Sequence, residues 1–175
     1  SSYAQINNPT ASATININVA QNAQVGFLSF NGSGAVTLPG AYIASPIATQ
    51  TAGTTLWLTV GQSKSLVANS LAPVFVVQGE RGAQITANVS ASLNNTNVTL
   101  NTATWSKSVD GSTWSGYSNG NNTLSDASGV TTIGPTAGQL GQFLLRYDVN
   151  VVGAGSGTGQ TSQLTASVTI NSYSI

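Results

Sequence analysis

Apolar and polar residues alternate one for one along most of this chain, the period of a half-buried β-strand and not that of a helix. In SATININVAQ (12–21), Ala13, Ile15, Ile17 and Val19 fall on one face, with Thr14, Asn16 and Asn18 on the other. The same period predicts strands in VGFLSF (25–30), TTLWLTV (54–60, with Leu56, Leu58 and Val60 together) and AQITANVSASL (83–93). It returns in QFLLRYDVNVV (142–152), which aligns Phe143, Leu145, Tyr147, Val149 and Val151, and in QLTASVTI (163–170), which aligns Leu164, Ala166, Val168 and Ile170. PVFVVQ (73–78) is almost continuously apolar, as expected of a strand buried on both faces. Gly, Pro and Asn stretches such as NGSG separate these segments, and none shows a sustained helical period. The pattern predicts an all-β chain folded as an antiparallel β-sandwich.

Two stretches narrow this to an immunoglobulin-like arrangement. TWSKSVDGSTWSGY (104–117) resembles the strand-turn-strand of bacterial and archaeal Ig-like modules, with Trp105 as the core aromatic, Asp110-Gly111 as a tight turn and Trp114 on the return strand. GPTAGQLGQFLLRYDVNV resembles the later strand that pairs beside the Trp strand, and TVGQSKSLVA the opening strands of such modules. Ig-like sandwiches host many functions, so the resemblance speaks to fold.

Composition changes the picture of the surface. Of 175 residues only 5% are charged, against a usual share of about 25%, so the exterior must be built from Ser, Thr, Asn, Gln and Gly. Four basic and four acidic residues cancel, and no cationic face exists to release counterions from nucleic acid or an anionic membrane; neither is an expected partner. Acid can protonate at most Glu80, Asp110, Asp126 and Asp148, so the carboxylate titration that drives acid unfolding has little to act on. No Cys is present, which removes disulfides and thiolate metal sites. No apolar run approaches the roughly 20 residues that span a bilayer as a helix. The chain begins with Ser, which fits a processed terminus whose targeting segment has been removed.

Chemistry is scarce. With neither His nor Cys, Ser-His-Asp and Cys-His catalysis are excluded. Of the carboxylates, Asp110 belongs to a turn and Asp126 to a polar loop, leaving Glu80 and Asp148 without the pattern of a glycosidase pair. No zinc or calcium spacing occurs, and GAGSGTGQ (153–160) lacks the Lys-Ser/Thr ending of a phosphate loop and joins two strands. The expectation is a non-enzymatic protein without cofactor or metal. Trp57, Trp105 and Trp114 leave a sugar-stacking platform open, with Trp105 assigned to the core.

Two kinds of modification are legible. N-glycosylation sequons occur at Asn31, Asn88, Asn94, Asn97 and Asn121; such triplets also arise by chance in a chain this rich in Asn, Ser and Thr. Position supports them: Asn31 and Asn121 fall in predicted loops, Asn94 and Asn97 in a polar connection, and Asn88 on the outward side of its strand. Lys64 and Lys107 fall by alternation on the faces of Leu66 and Trp105, where a lysine beside Asn or a carboxylate can form an isopeptide bond; near strand ends, both can instead reach water.

The leader SSYAQINNPTA is polar and too poor in apolar groups to fold alone; behind it come the alternating strand and then the sandwich, which divides the chain into a tail (1–22) and a head (23–175). On pattern alone, the strand of Ala13, Ile15, Ile17 and Val19 serves equally as the first strand of its own sandwich or as one donated to a neighbour. The charge-poor, Cys-free, Ser/Thr/Asn-rich profile with this N-terminal strand resembles the thread filament subunits of thermoacidophilic archaea, and in style the chaperone-usher pilins, whose common Cys pair is missing here. The resemblance implies an extracellular, N-glycosylated filament in which the tail of one subunit enters the next, a head-to-tail homopolymer serving adhesion or biofilm. A monomeric Ig-like adhesin or carbohydrate-binding module, or a fragment of a surface-layer protein, is compatible with the same composition.

Overall fold

The computed structural model describes residues 7–17, 23–125, 140–155 and 159–174. Within them the chain forms strands and no helix: β1 (Ala23–Asn31), β2 (Ser63–Ser65), β3 (Ala72–Glu80), β4 (Gln84–Leu93), β5 (Val98–Ser108), β6 (Ser115–Tyr117), β7 (Asn121–Thr123), β8 (Leu140–Gly153) and β9 (Leu164–Ser174). One antiparallel sheet runs β1-β3-β8-β5-β6 with β2 on the far end of β8; the other runs β7-β4-β9. The two pack face to face, so the protein is a β-sandwich. As expected from the Ig-like reading, β8 pairs beside the Trp strand β5, with Trp105 opposite Tyr147.

Alternation decides what lies between the sheets. Phe143 and Leu145 of β8 and Val77 of β3 are fully buried against Ile85 and Ala87 of β4. The other face of the larger sheet is also covered. Val74, Val76 and Leu144 point away from the second sheet and are buried by Val36, Leu38 and Ile43 of the strandless segment 33–47. This explains why PVFVVQ is apolar at nearly every position. Polar groups hold the cover down. Gln24, Gln78 and Gln142 sit in register on three adjacent strands and are nearly or fully buried. Gln78 Nε2 donates to Gln142 Oε1 and to Ala41 O, both at 3.0 Å, while its Oε1 accepts from Ile43 N at 2.9 Å. Gln142 Nε2 donates to Pro39 O at 3.0 Å, and Gln24 Nε2 donates to Ile43 O. Arg146 lies on the same face, forked onto Asp148 at 2.6 and 3.2 Å and with its guanidinium 4.3 Å from the centre of the Trp114 ring.

Three sequence expectations are corrected here. TTLWLTV (54–60) is not a strand: Leu56 and Leu58 lean inward, but the backbone makes only a bridge at Val60. Period-2 alternation reports side-chain burial and does not require a neighbouring ladder. Asn31 ends β1 and Asn121 begins β7, so neither lies in a loop. Asp110-Gly111 is not a two-residue turn but part of the longer connection 109–114, with Trp114 just ahead of β6. Asp110 Oδ1 accepts from Ser112 N (2.8 Å) and Thr113 N (2.7 Å), which stabilises the wider loop. Gly111 is required there: its φ is +80°, and a Cβ would lie 2.0 Å from Val36 O.

The Asp110 hydrogen bonds, first from Thr113 and then from Ser112, draw its pKa down from 3.8 to about 2. A depressed carboxylate contributes stability that is present above the unfolded value of 3.8 and is lost as pH falls through about 2. Asp110→Ala is therefore expected to melt below the parent at neutral pH, with the gap closing as pH falls from 3.8 to 2. Paired thermal melts across that range check it; a gap constant with pH would show that the carboxylate charge plays no part.

Candidate assembly groove

At one end the sandwich interior is left open. A row of aromatic rings crosses the inner face of the larger sheet: Phe30 and Phe27 on β1 (centroids 4.7 Å apart), Phe75 on β3 (6.0 Å from Phe27), then Trp105 on β5 and Tyr147 on β8 (5.0 Å apart). A register shift in β1 between Phe27 and Ser29 brings Phe27 and Phe30 together on this side. Phe27, Phe30 and Phe75 are only half-buried, although they face the space between the sheets. Above them lies a groove of about 690 Å³, walled by Leu164, Ala166 and Val168 of β9 on one side and by Leu56 and Leu58 on the other. Among the described residues no charged one lines it, and the one titratable group there, Tyr147, has its pKa raised by burial.

The groove also exposes unpaired backbone. β9 pairs with β4 along one edge, and its other edge pairs with no described strand over all 11 residues. Free edges in natural sheets are usually blunted by Lys, Pro, a charge, a bulge or brevity; Leu164–Ile170 has none of these, and the one register shift of β9 lies beyond it, at Asn171. The edge of β1 opposite is partly engaged: Phe27 N donates to Ile47 O at 2.8 Å, and Gly26 lies so close to Pro46 that a Cβ would come within 2.7 Å of it.

Residues 7–17 join no sheet and are exposed throughout, Ile15 by 80% and Ile17 by 82%; Ala13 is exposed as well. Val19, the fourth residue of the apolar face, lies outside the described residues, as does Asp126. No known protein family, curated protein or solved structure matches this chain.

The remaining candidate residues are dispersed. Trp105 lies between the sheets, Trp114 on the outer face under Arg146, and Trp57 is 73% exposed, so the three do not form one stacking platform. Among the sequons, Asn31, Asn94 and Asn121 have the carboxamide oxygen held, by Gly32 N, Gln163 N and Thr86 Oγ1. Asn97 is half-buried and uses its nitrogen, the atom a glycan would occupy, to reach Gln160 Oε1 at 3.2 Å; Asn88 is half-buried on β4. The two lysines differ. Lys64 Nζ donates to the Trp57 carbonyl at 2.7 Å, whereas Lys107 Nζ donates to Asn122 Oδ1 at 3.2 Å and lies 4.9 Å from the Phe143 ring centre. Sequence reasoning marked the apolar face of residues 13–19 but missed the groove, because its walls come from segments distant along the chain, 27–75 and 164–168.

Proposed function

We propose that this protein is the structural subunit of an extracellular filament, joined head to tail by insertion of residues 12–21 of one copy into the groove along β9 of the next. The observation that carries this reading is an exposed, alternating apolar tail on a chain whose head keeps an apolar groove and a free strand edge open. An added strand would pair its backbone with β9 and place Ala13, Ile15, Ile17 and Val19 over the aromatic floor, while Thr14, Asn16 and Asn18 continue the polar outer face of Thr165, Ser167 and Thr169. Seven donor residues extend about 23 Å at roughly 3.3 Å each, the same run as Leu164–Ile170. The contact is heterologous, so it repeats without closing and yields a fibre. Its role is mechanical, supporting adhesion or biofilm, with N-glycans on the exterior and no catalytic step.

A chain lacking residues 1–22 should fail to polymerise, and a synthetic peptide of residues 11–21 should raise its melting temperature; a peptide with both isoleucines changed to aspartate should not. Since neither the groove nor residues 7–17 carry charge, the peptide effect should be the same in low and high salt and at acid and neutral pH. Polymerisation of the truncated chain, or a melting temperature unmoved by the peptide, overturns the reading.

A further inference from the structure

The side chain of Lys107 ends beside a carboxamide that belongs to the opposite sheet. Lys107 is on β5 in the larger sheet and Asn122 on β7 in the smaller, and Nζ lies 3.2 Å from Asn122 Oδ1. The orientation of that amide is settled by its other end: Nδ2 donates to Gly120 O at 2.8 Å and to the Tyr117 hydroxyl at 3.2 Å. The Tyr117 hydroxyl in turn donates to Ala87 O. The lysine nitrogen, an amide carbon and a phenol next to the amide nitrogen are thus gathered at one spot, with the Phe143 ring on one side of the amine.

We propose that Lys107 and Asn122 join in an intramolecular isopeptide bond. The unprotonated Nζ attacks Cγ of Asn122, a Cγ–Nζ amide forms, the Cγ–Nδ2 bond breaks, and Nδ2 leaves as ammonia. One proton passes from the attacking to the departing nitrogen. The Tyr117 hydroxyl, within hydrogen-bond distance of Nδ2, supplies a proton to the leaving group and recovers the one shed by Nζ. Nothing is oxidised and no further reactant is consumed. Attack needs the neutral amine, and partial burial pushes the Lys107 pKa down by desolvation. Lys64 faces a backbone carbonyl, which offers no leaving group, so the structure separates two lysines that look alike in the sequence.

The bond would tie β5 to β7, and through them one sheet to the other, in a chain without cysteine. It lies within one subunit and does not depend on polymerisation.

Mass spectrometry of the full chain after deglycosylation tests it. The expected result is an intact mass one ammonia below that of the sequence, together with a branched peptide joining the fragments that contain Lys107 and Asn122. Lys107→Arg should restore the full mass. Asn122→Asp, which keeps both the shape and the Asn121 sequon, should remain linked but lose water in place of ammonia. Tyr117→Phe should slow the reaction and leave an unlinked fraction in fresh protein; complete linkage there would remove the tyrosine from the mechanism. An unshifted mass overturns the proposal. So does an ammonia loss that maps to Asn31 or Asn119, each followed by glycine and open to succinimide formation.

Discussion

Ile15→Asp is expected to abolish filament growth while leaving the head folded, and Ile17→Asp to do the same. Both side chains are about four-fifths exposed in the isolated subunit, so neither substitution removes packing from the fold that carries it. In the groove the balance reverses. Burying one isoleucine contributes about 1.5–3 kcal/mol, and a carboxylate in its place has no cationic partner in a lining without charge. Since about 1.4 kcal/mol is a factor of ten, each change should weaken subunit joining by a hundredfold or more. Negative-stain microscopy and sedimentation read the assembly, and a thermal melt of the monomer reads the fold. Parallel loss of melting temperature and assembly would place the strand within its own sandwich and remove the donor reading.

The second large effect concerns the cover over the outer face. Gln78→Leu matches the volume of the glutamine but deletes the centre of the ladder. Ile43 N loses its 2.9 Å acceptor, Ala41 O its 3.0 Å donor and Gln142 Oε1 its 3.0 Å donor; Gln142 is fully buried and Ile43 half-buried, while Ala41 is exposed and its carbonyl can turn to water. Each unsatisfied group costs about 1–3 kcal/mol, so a loss of roughly 3–5 kcal/mol is expected. Total stabilities of about 5–15 kcal/mol make that a large share, and it corresponds to a fall in melting temperature of roughly 10 °C or more. Limited proteolysis should find segment 33–47 cleaved first, because its polar attachment fails before its apolar one. Gln50→Leu, at an exposed site, serves as the control and should leave the melt unchanged.

Both effects bear on how a chain with so few charges is held together. Glutamine and asparagine supply the buried polar contacts that ionic pairs supply elsewhere, and amides do not titrate between acid and neutral pH. The Arg146–Asp148 pair is the exception on this face, and it is held on one strand, with Ser106 Oγ donating to Asp148 at 2.9 Å. Lowering the pH therefore leaves the glutamine ladder and the groove lining untouched.

Alternation alone assigned the inner face of β4, β8 and β9 correctly, because burial between two sheets selects every second residue whatever the partner strand is. The same period picks out an apolar face over residues 13–17, which the fold leaves exposed, and the shortage of charge was visible in composition. It overreached at 54–60, where the side chains turn inward without a ladder, and the Ig-like resemblance overreached at 109–114, where an aspartate side chain replaces tight-turn geometry. Other features exist only in three dimensions. Gln78 and Gln142 are 64 residues apart, and nothing local distinguishes them from the exposed Gln50 until β3 and β8 bring them side by side. Lys107 and Lys64 read alike until the second sheet sets a carboxamide against one of them. The groove is decided by sheet order: β9 stands at an edge with no described strand beyond it, and an edge is a property of the assembled sheet.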